Sequence, residues 1–473
     1  MEHVTVGDLV KATGGTLLCG KEEDRIHKIR LDSRTVEPGD LFVPLIGEKV
    51  DGHTFIPQVV RLGAGAVLTS RENEQGAKKP GVKEPGENNM AFIRVEDTKE
   101  ALQNIGRYLR SRLSLPLIGI TGSVGKTTTR EMIAAALSAR YRVYKTPGNK
   151  NSQVGVPVTI SEISNEDQVG VIELGMSEPG ELTVIAKIAK IDMAVITNIG
   201  ITHIEQLGSR ENIYREKMTI QDGLKDGGVL ILNGDDDMLS ATKGRDGIRT
   251  VYYGTGKNCD FRAEDLVLHD GKAEFTAVYK NERQKIYLNV MGRHNVLNAM
   301  AAVAVCVQCG MTMEEAARGL FAFTGYKNRQ QIYRGEKMTI LDDSYNASPV
   351  SMKAALDVFK TLKPGSRHVA VLADMKELGE QTFSYHKEVG QYAARTAPDL
   401  VVTLGEACHA LAEGIRENSQ IPVKEFLDKD QMVSYLDEEL KDGDCVLFKG
   451  SNSIGLFHVA ARFIARAKGE QDD

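Results

Sequence analysis

Short apolar runs recur along this chain, and few of them alternate with polar positions. Leu117-Ile118-Gly119-Ile120, Val169-Gly170-Val171-Ile172, Met193-Ala194-Val195-Ile196 and Val229-Leu230-Ile231-Leu232 are continuous. Continuity of that kind marks strands buried on both faces, as in a parallel sheet. Helix-period stretches lie between them, such as Arg130 to Ala139, with Met132, Ile133, Ala136 and Leu137 on one face. A second set follows: Met338-Thr339-Ile340-Leu341, Val369-Ala370-Val371-Leu372, Leu400 to Leu404 and Cys445-Val446-Leu447-Phe448. Alternation of strand and helix there predicts a Rossmann-like α/β unit, without the G-x-G-x-x-G that would mark a dinucleotide.

The remaining stretches read differently. Before residue 98 the pattern is one of short strands and turns. Glu37-Pro38-Gly39-Asp40 precedes Leu41-Phe42-Val43, a helical stretch ends at Leu62-Gly63, and Ala91 to Val95 is strand-like. Gly76 to Asn89, rich in Lys, Pro, Gly and Glu, predicts an exposed loop. Lys99 to Leu113 reads as a helix. From Thr250 to Val290 strands and turns dominate, which predicts a small antiparallel sheet attached to the middle unit. The expectation is an α/β protein of three domains. Residues 1–97 form a mixed α/β unit, 98–327 a P-loop ATPase-type parallel-sheet unit, and 328–473 the Rossmann-like unit. A length of 473 residues fits three domains at about 150 residues each.

One stretch carries a chemical signature. Thr121-Gly122-Ser123-Val124-Gly125-Lys126-Thr127-Thr128 sits between a predicted strand and a predicted helix. Glycines let backbone N–H groups approach phosphate oxygens, and a helix N-terminus adds positive potential. Lys126 is placed to reach terminal phosphates, and Thr127 has the hydroxyl expected on Mg²⁺. The general pattern asks for glycine where Ile120 stands. A chance glycine turn is the alternative.

Other candidates sit at strand ends, where parallel sheets place their ligands. Glu173 closes one apolar strand and suits a metal ligand beside phosphates, or a plain surface acid. His203 follows another strand; a lone histidine is as readily structural. Asp342-Asp343-Ser344-Tyr345-Asn346 follows the first strand of the third unit and is expected to face a ligand across the cleft. Asp235-Asp236-Asp237 follows Asn233-Gly234 and reads as a solvated turn. His294, Asn295 and Asn298 read as caps of an alanine-rich helix. Lys217, in Tyr214-Arg215-Glu216-Lys217-Met218, reads as an ordinary helix-surface lysine.

Composition changes little in this picture. A net charge of -6 gives no support for a nucleic-acid surface, and no apolar run approaches the ~18 residues of a membrane helix. The polar N-terminal residues lack a signal-peptide core, so the expected location is the cytoplasm. Cys306 and Cys309 form a C-x-x-C inside an apolar helical run and read as buried helix positions.

Taken together and in order, these segments resemble the Mur ligase family, ATP-dependent enzymes that form amide bonds in peptidoglycan precursor synthesis. The T-G-x-x-G-K-T loop is the family's own form, so Ile120 belongs to the resemblance. Glu173-Leu174-Gly175, Asn198 to His203, His294-Asn295-Val296-Leu297-Asn298, Arg329 and Asp343 stand where the family pattern wants them. Four segments make the chain most similar to the member type that adds D-alanyl-D-alanine to UDP-N-acetylmuramoyl-tripeptide. They are Thr146 to Pro157, Asp342 to Ala347, Ala373-Asp374-Met375-Lys376-Glu377-Leu378-Gly379, and Lys449-Gly450-Ser451. The Asp-Asn-Pro-Arg motif of the sister ligase is absent from the sequence.

The resemblance implies roles. Thr121 to Thr128 hold ATP phosphates, and Lys126, His203 and Lys217 serve catalysis. Thr127 and Glu173 hold a first Mg²⁺; His203 and Lys217 serve a second, with Lys217 as a carbamylated lysine. Asn295, Asn298 and Arg329 hold adenine or phosphate, and Asp343 the ribose. Asp32-Ser33-Arg34 and Asp51-Gly52-His53 hold the UDP-sugar end, while Asn149, Asn151, Tyr345 and Asn346 contact substrate. A monomer is expected. Ser152, Ser348 and Ser177-Glu178 depart from the usual residues at their positions. A folate polyglutamylating ligase and a nucleotide-driven switch are the rival readings.

Overall fold

The protein is described here by a computed structural model covering residues 1, 3–71 and 90–469; the loop expected at Gly76 to Asn89 lies outside the described residues. Three sheets organise the chain. In the first, Thr16–Cys19, Ala91–Arg94, Ala66–Thr69, Leu41–Phe42 and Ile29–Arg30 lie side by side in that order. Only the Thr16–Cys19 edge strand pairs antiparallel. Ala66–Thr69 is buried along its whole length, as its unbroken apolar run requires.

The central sheet has nine strands. Leu117–Thr121 lies between Val169–Glu173 and Ile191–Ile196, with Ile120 opposite Glu173 and Thr121 opposite Ile196. The chain leaves Leu117–Thr121 through a helix, builds strands on one side, then crosses to the other. That reversal is a topological switch point, and a crevice opens there at the carboxyl ends of the strands. The strands of the 250–290 region do not form a separate small sheet. Arg249–Gly254 pairs parallel with Leu224–Asn233, and Phe261–His269 joins it in parallel. Only Lys272–Tyr279 and Glu282–Met291 then run antiparallel, extending the same sheet. Repeated polar positions suit open-faced antiparallel pairing, and all four strands send apolar side chains into one core with the helix His294–Gln308.

The third sheet runs in the order Gln331–Arg334, Thr339–Asp342, Cys445–Lys449, His368–Ala373, Leu400–Leu404, Val423–Phe426. Its first strand is antiparallel and the rest are parallel.

Packing ties the first unit to the second. Leu102 and Ile105 of the helix Thr98–Ser111 are fully buried in one cluster with Ile172 and Ile196 of the central sheet. Burying each such side chain is worth about 1.5–3 kcal/mol, so this helix holds the two units together. Cys306 is buried within its helix and Cys309 caps it; both are free thiols, and burial pushes Cys309 up to about 11.

Candidate active site

The glycine loop closes against the strand that follows Ile191. Gly122 has φ +144°, and a Cβ there would lie 1.9 Å from Thr197 Oγ1, so only glycine fits. The helix after the loop spans Lys126–Leu137 and begins four residues earlier than its apolar face predicts. Thr127 and Thr128 are therefore inside its first turn. Its N-cap, Gly125, is left-handed and no side chain caps the helix, so first-turn N–H groups remain available to an anion. Asn198 laces the loop to the neighbouring strand end. Its Oδ1 accepts from Val124 N–H at 3.0 Å, and its Nδ2 donates to Val124 O at 2.9 Å.

Around Glu173 lies a dense set of donors. Thr127 Oγ1 donates to Oε2 at 3.0 Å, Arg130 Nη1 to Oε2 at 3.2 Å, and Asn151 Nδ2 to Oε1 at 2.8 Å. The carboxylate and the Thr127 hydroxyl are hard oxygen donors side by side, the chemistry a Mg²⁺ ion selects. Arg130 went unmarked in the sequence because it sits on a helix like any solvated arginine. It is fully buried, and it also donates to Gly148 O at 2.9 Å and to Glu131.

Lys217 is not a surface residue. It is 1% exposed. Burial holds its amine well below the ordinary lysine value, and the Lys126 charge nearby pushes the same way. Lys126 itself is pulled down by burial, and its Nζ donates to Gly122 O at 2.7 Å.

One cavity of about 770 Å³ joins these groups to the third unit. Ser123 to Thr128, Asn151, Glu173 and His203 line it from the central sheet, with Asn295 and Asn298 beside them. Arg329, Asp343, Tyr345, Asn346 and Lys449 line the opposite side. Arg329 Nη2 donates to Thr127 Oγ1 at 3.2 Å, and its guanidinium lies 4.0 Å over the Tyr345 ring. Its Nε is buried without a partner. Asp343 pairs with Lys449 at 2.6 Å, both buried. Lys449 ends the apolar strand Cys445–Lys449, and that position is the sequence signal of its place here.

Several expected residues lie elsewhere or act otherwise. Thr121, Gly122, Asn149 and Lys217 do not line the cavity. Asp32, Ser33 and Arg34, and Asp51, Gly52 and His53, sit in the first unit away from it. There Asp32 pairs with Arg34 at 2.7 Å and Asp51 with His53 at 2.7 Å. His294, Asn295 and Asn298 are not caps. They lie within the helix His294–Gln308, where Asn298 Oδ1 accepts from Thr129 Oγ1 at 3.0 Å and so touches the loop's helix. Asp235 and Asp237 stand exposed on a turn, as expected, with Asp236 half-buried between them. Asp235 accepts from Thr255 and Gly256 N–H, and Asp236 Oδ2 from Ile199 N–H at 2.8 Å. Asp374, His386 and Cys408 form a buried cluster of possible metal ligands. His386 Nε2 already accepts from Met375 N–H at 3.0 Å and its Nδ1 faces Thr382 O at 2.7 Å, so the ring has no free lone pair for an ion.

A phosphate-type loop at the switch point of a parallel sheet, facing a second α/β unit across one cleft, defines a nucleotide-binding P-loop protein. Residues 25–109, 120–306 and 328–452 match, in turn, "Mur ligase family, catalytic domain", "Mur ligase middle domain" and "Mur ligase, glutamate ligase domain". The chain belongs to the Mur ligase family. It is 36% identical to the UDP-N-acetylmuramoyl-tripeptide--D-alanyl-D-alanine ligase of Bacillus subtilis (strain 168), over 97% of this chain and 98% of that one. The ligase of the same name from Escherichia coli (strain K12) is 31% identical, with 97% and 98% covered. Among solved structures, a crystal structure of MurF from Acinetobacter baumannii superposes with TM-score 0.84 at 30% identity, covering 97% of this chain and 98% of that one. MurF ligase from Thermotoga maritima in complex with ADP gives TM-score 0.79 at 27% identity, covering 95% and 99%.

Proposed function

We propose that this chain is an ATP-dependent ligase joining D-alanyl-D-alanine to UDP-N-acetylmuramoyl-tripeptide. The observation that carries the reading is the shared cleft, in which the Lys126–Thr127–Glu173 group faces Arg329, Asp343 and Lys449. Full-length likeness to ligases of that name supports it.

The chemistry follows from the groups present. A carboxylate is a poor acyl donor because oxide is a poor leaving group. Transfer of the ATP γ-phosphoryl group to the tripeptide carboxylate gives an acyl phosphate and ADP. The dipeptide amine then attacks the acyl carbon, the C–O bond to phosphate breaks, and the amide and inorganic phosphate leave. Lys126 and the uncapped first turn of its helix bind and orient the phosphates. Arg329, with an unpartnered buried Nε, adds charge on the opposite wall. Enclosure between two units keeps water from the acyl phosphate.

Thr127 Oγ1 and the Glu173 carboxylate would hold one Mg²⁺, and His203 with Lys217 would serve a second. Bound there, Mg²⁺ offsets phosphate charge. An ammonium suits a cation site badly. Burial keeps Lys217 toward its neutral amine, which adds CO₂ to give a carbamate and a proton, turning a repelling group into an anionic oxygen ligand. Residues 1–97 are proposed to hold the UDP-sugar end through Asp32–Arg34 and Asp51–His53.

Phosphate release from ATP tests the reading. It is expected to require both the muramoyl-tripeptide and D-alanyl-D-alanine. Release that is unchanged when either is omitted refutes it.

A further inference from the structure

His203, which lines the cleft, meets Glu377, which comes from a different sheet. His203 follows the central strand Ile191–Ile196, and Glu377 follows His368–Ala373 of the third sheet. His203 Nδ1 and Glu377 Oε2 are 2.6 Å apart. The two groups are not aligned for a linear hydrogen bond, so the attraction is mainly electrostatic. Both residues are left-handed, with φ +64° and +63°. Such backbone costs a non-glycine residue about 1–3 kcal/mol and persists only where the surroundings impose it.

The surroundings do so on both sides. On the central side, Ser123 Oγ accepts from Gly200 N–H at 2.8 Å, and Arg210 Nε donates to Ile199 O at 2.8 Å. On the other, Lys376 N–H donates to Ser451 Oγ at 2.9 Å and His386 holds Met375 N–H. The loops also touch directly. Glu205 N–H donates to Glu377 O at 3.4 Å, and a Cβ on Gly379 would lie 3.5 Å from Glu205 Cα.

A carboxylate repels a lone pair at this separation, so the neutral His203 ring is favoured with its proton on Nδ1 and its lone pair on Nε2. Histidines that bind metal are set in this way by a carboxylate behind them. Here that carboxylate arrives from another structural unit.

We propose that Glu377 is a positioning residue that fixes the His203 ring with Nε2 free as a ligand, so that the second metal site is complete only while the third unit is docked on the central one. This rests on the reading of His203 as a ligand of the second Mg²⁺. Linkage then makes metal binding favour the docked arrangement by the same factor that docking favours metal.

The test uses the full chain with a non-hydrolysable ATP analogue and Mn²⁺ in place of Mg²⁺, free Mn²⁺ being read by electron paramagnetic resonance. Glu377→Ala is expected to weaken the second ion about 10–100-fold, the usual effect of losing such a carboxylate. The first ion and metal-free ADP affinity are expected to be unchanged. Glu377→Gln keeps the side-chain length and a carbonyl acceptor; a smaller loss is expected, and it reports on the same contact if the alanine variant folds poorly. In a His203→Ala background, Glu377→Ala is expected to add nothing. If His203→Ala weakens the second ion while both Glu377 variants leave it unchanged, the proposal is wrong and the ligand reading stands. Fully additive losses also overturn it, because Glu377 would then act on the ion without His203. An unchanged second ion in His203→Ala removes the ligand reading, and the proposal with it.

Discussion

Lys449→Met is expected to be the most damaging single change on the third sheet's side of the cleft. The Lys449 and Asp343 side chains are 2% and 9% exposed, and their charges lie 2.6 Å apart. Burial alone pulls the Lys449 amine down, and the Asp343 carboxylate beside it resists that pull. Methionine keeps most of the stem's volume and removes the charge, along with the 3.1 Å bond to Asn346 O. Among the described residues, the Asp343 carboxylate is then left with the Gln330 backbone N–H at 3.2 Å. Stranding one member of a buried pair costs about 3–5 kcal/mol, chiefly the desolvation of the survivor. At about 2–4 °C per kcal/mol for a unit of ~150 residues, the melting temperature falls by roughly 6–20 °C. Calorimetry reads the drop, and hydrogen exchange locates it. Amides of Cys445–Lys449 and of the Asp343 to Asn346 loop are expected to lose protection first. The double variant Asp343→Asn/Lys449→Met removes both charges and is expected to recover most of the loss. A single variant within about 1 kcal/mol of the parent, or a double variant less stable than the single, would refute the reasoning.

Other expectations concern the phosphate side and acid stability. Lys217→Ala is expected to fold but to lose ligation almost wholly; short carboxylic acids should restore part of the rate, and full activity without them sinks the carbamate reading. Thr127→Ala removes the 3.0 Å bond to Glu173 and is expected to raise the Mg²⁺ requirement and cut kcat at least about 100-fold, read by phosphate release at varied Mg²⁺. His386 is buried and its imidazole is held below the ordinary value by that burial. The unfolded chain therefore takes up more protons as pH falls through about 6.5, and stability falls with it until the folded-state value is reached. Melting temperature should drop between pH 7.5 and 5.5, and His386→Gln should flatten that drop. His294, also lowered by burial, leaves some slope, and equal slopes in the two proteins would contradict the assignment.

Much of this was legible in order. Continuous apolar runs mark the parallel strands because both faces are buried, and acids at their ends fall where the crevice opens. Glu173, Asp343 and the loop were found this way. Lys217 was not, because Arg210–Met218 has no strong apolar face to show which side is inward. Arg130 was hidden for a different reason: it pairs with Glu131 and with Glu173, and the second lies on a strand of the sheet. The Asn295 and Asn298 side chains were misread as caps because a helix start seen in sequence does not reveal the helix packed beside it. Contacts between sheets, such as Glu377 with His203, have no local pattern at all.

Arg329 lies in residues 322–330, the stretch between the helix Met313–Phe321 and the strand Gln331–Arg334. Its neighbours Asn328 and Gln330 are left-handed, with φ +60° and +49°. The covalent tether between two units therefore runs along the shared cleft and carries one of the side chains that line it. One added residue lengthens such a tether by up to about 3.3–3.6 Å, as much as the whole 3.2 Å contact from Arg329 to Thr127. Most surface connections tolerate insertion. This one has a fixed gauge, and its length is part of the chemistry.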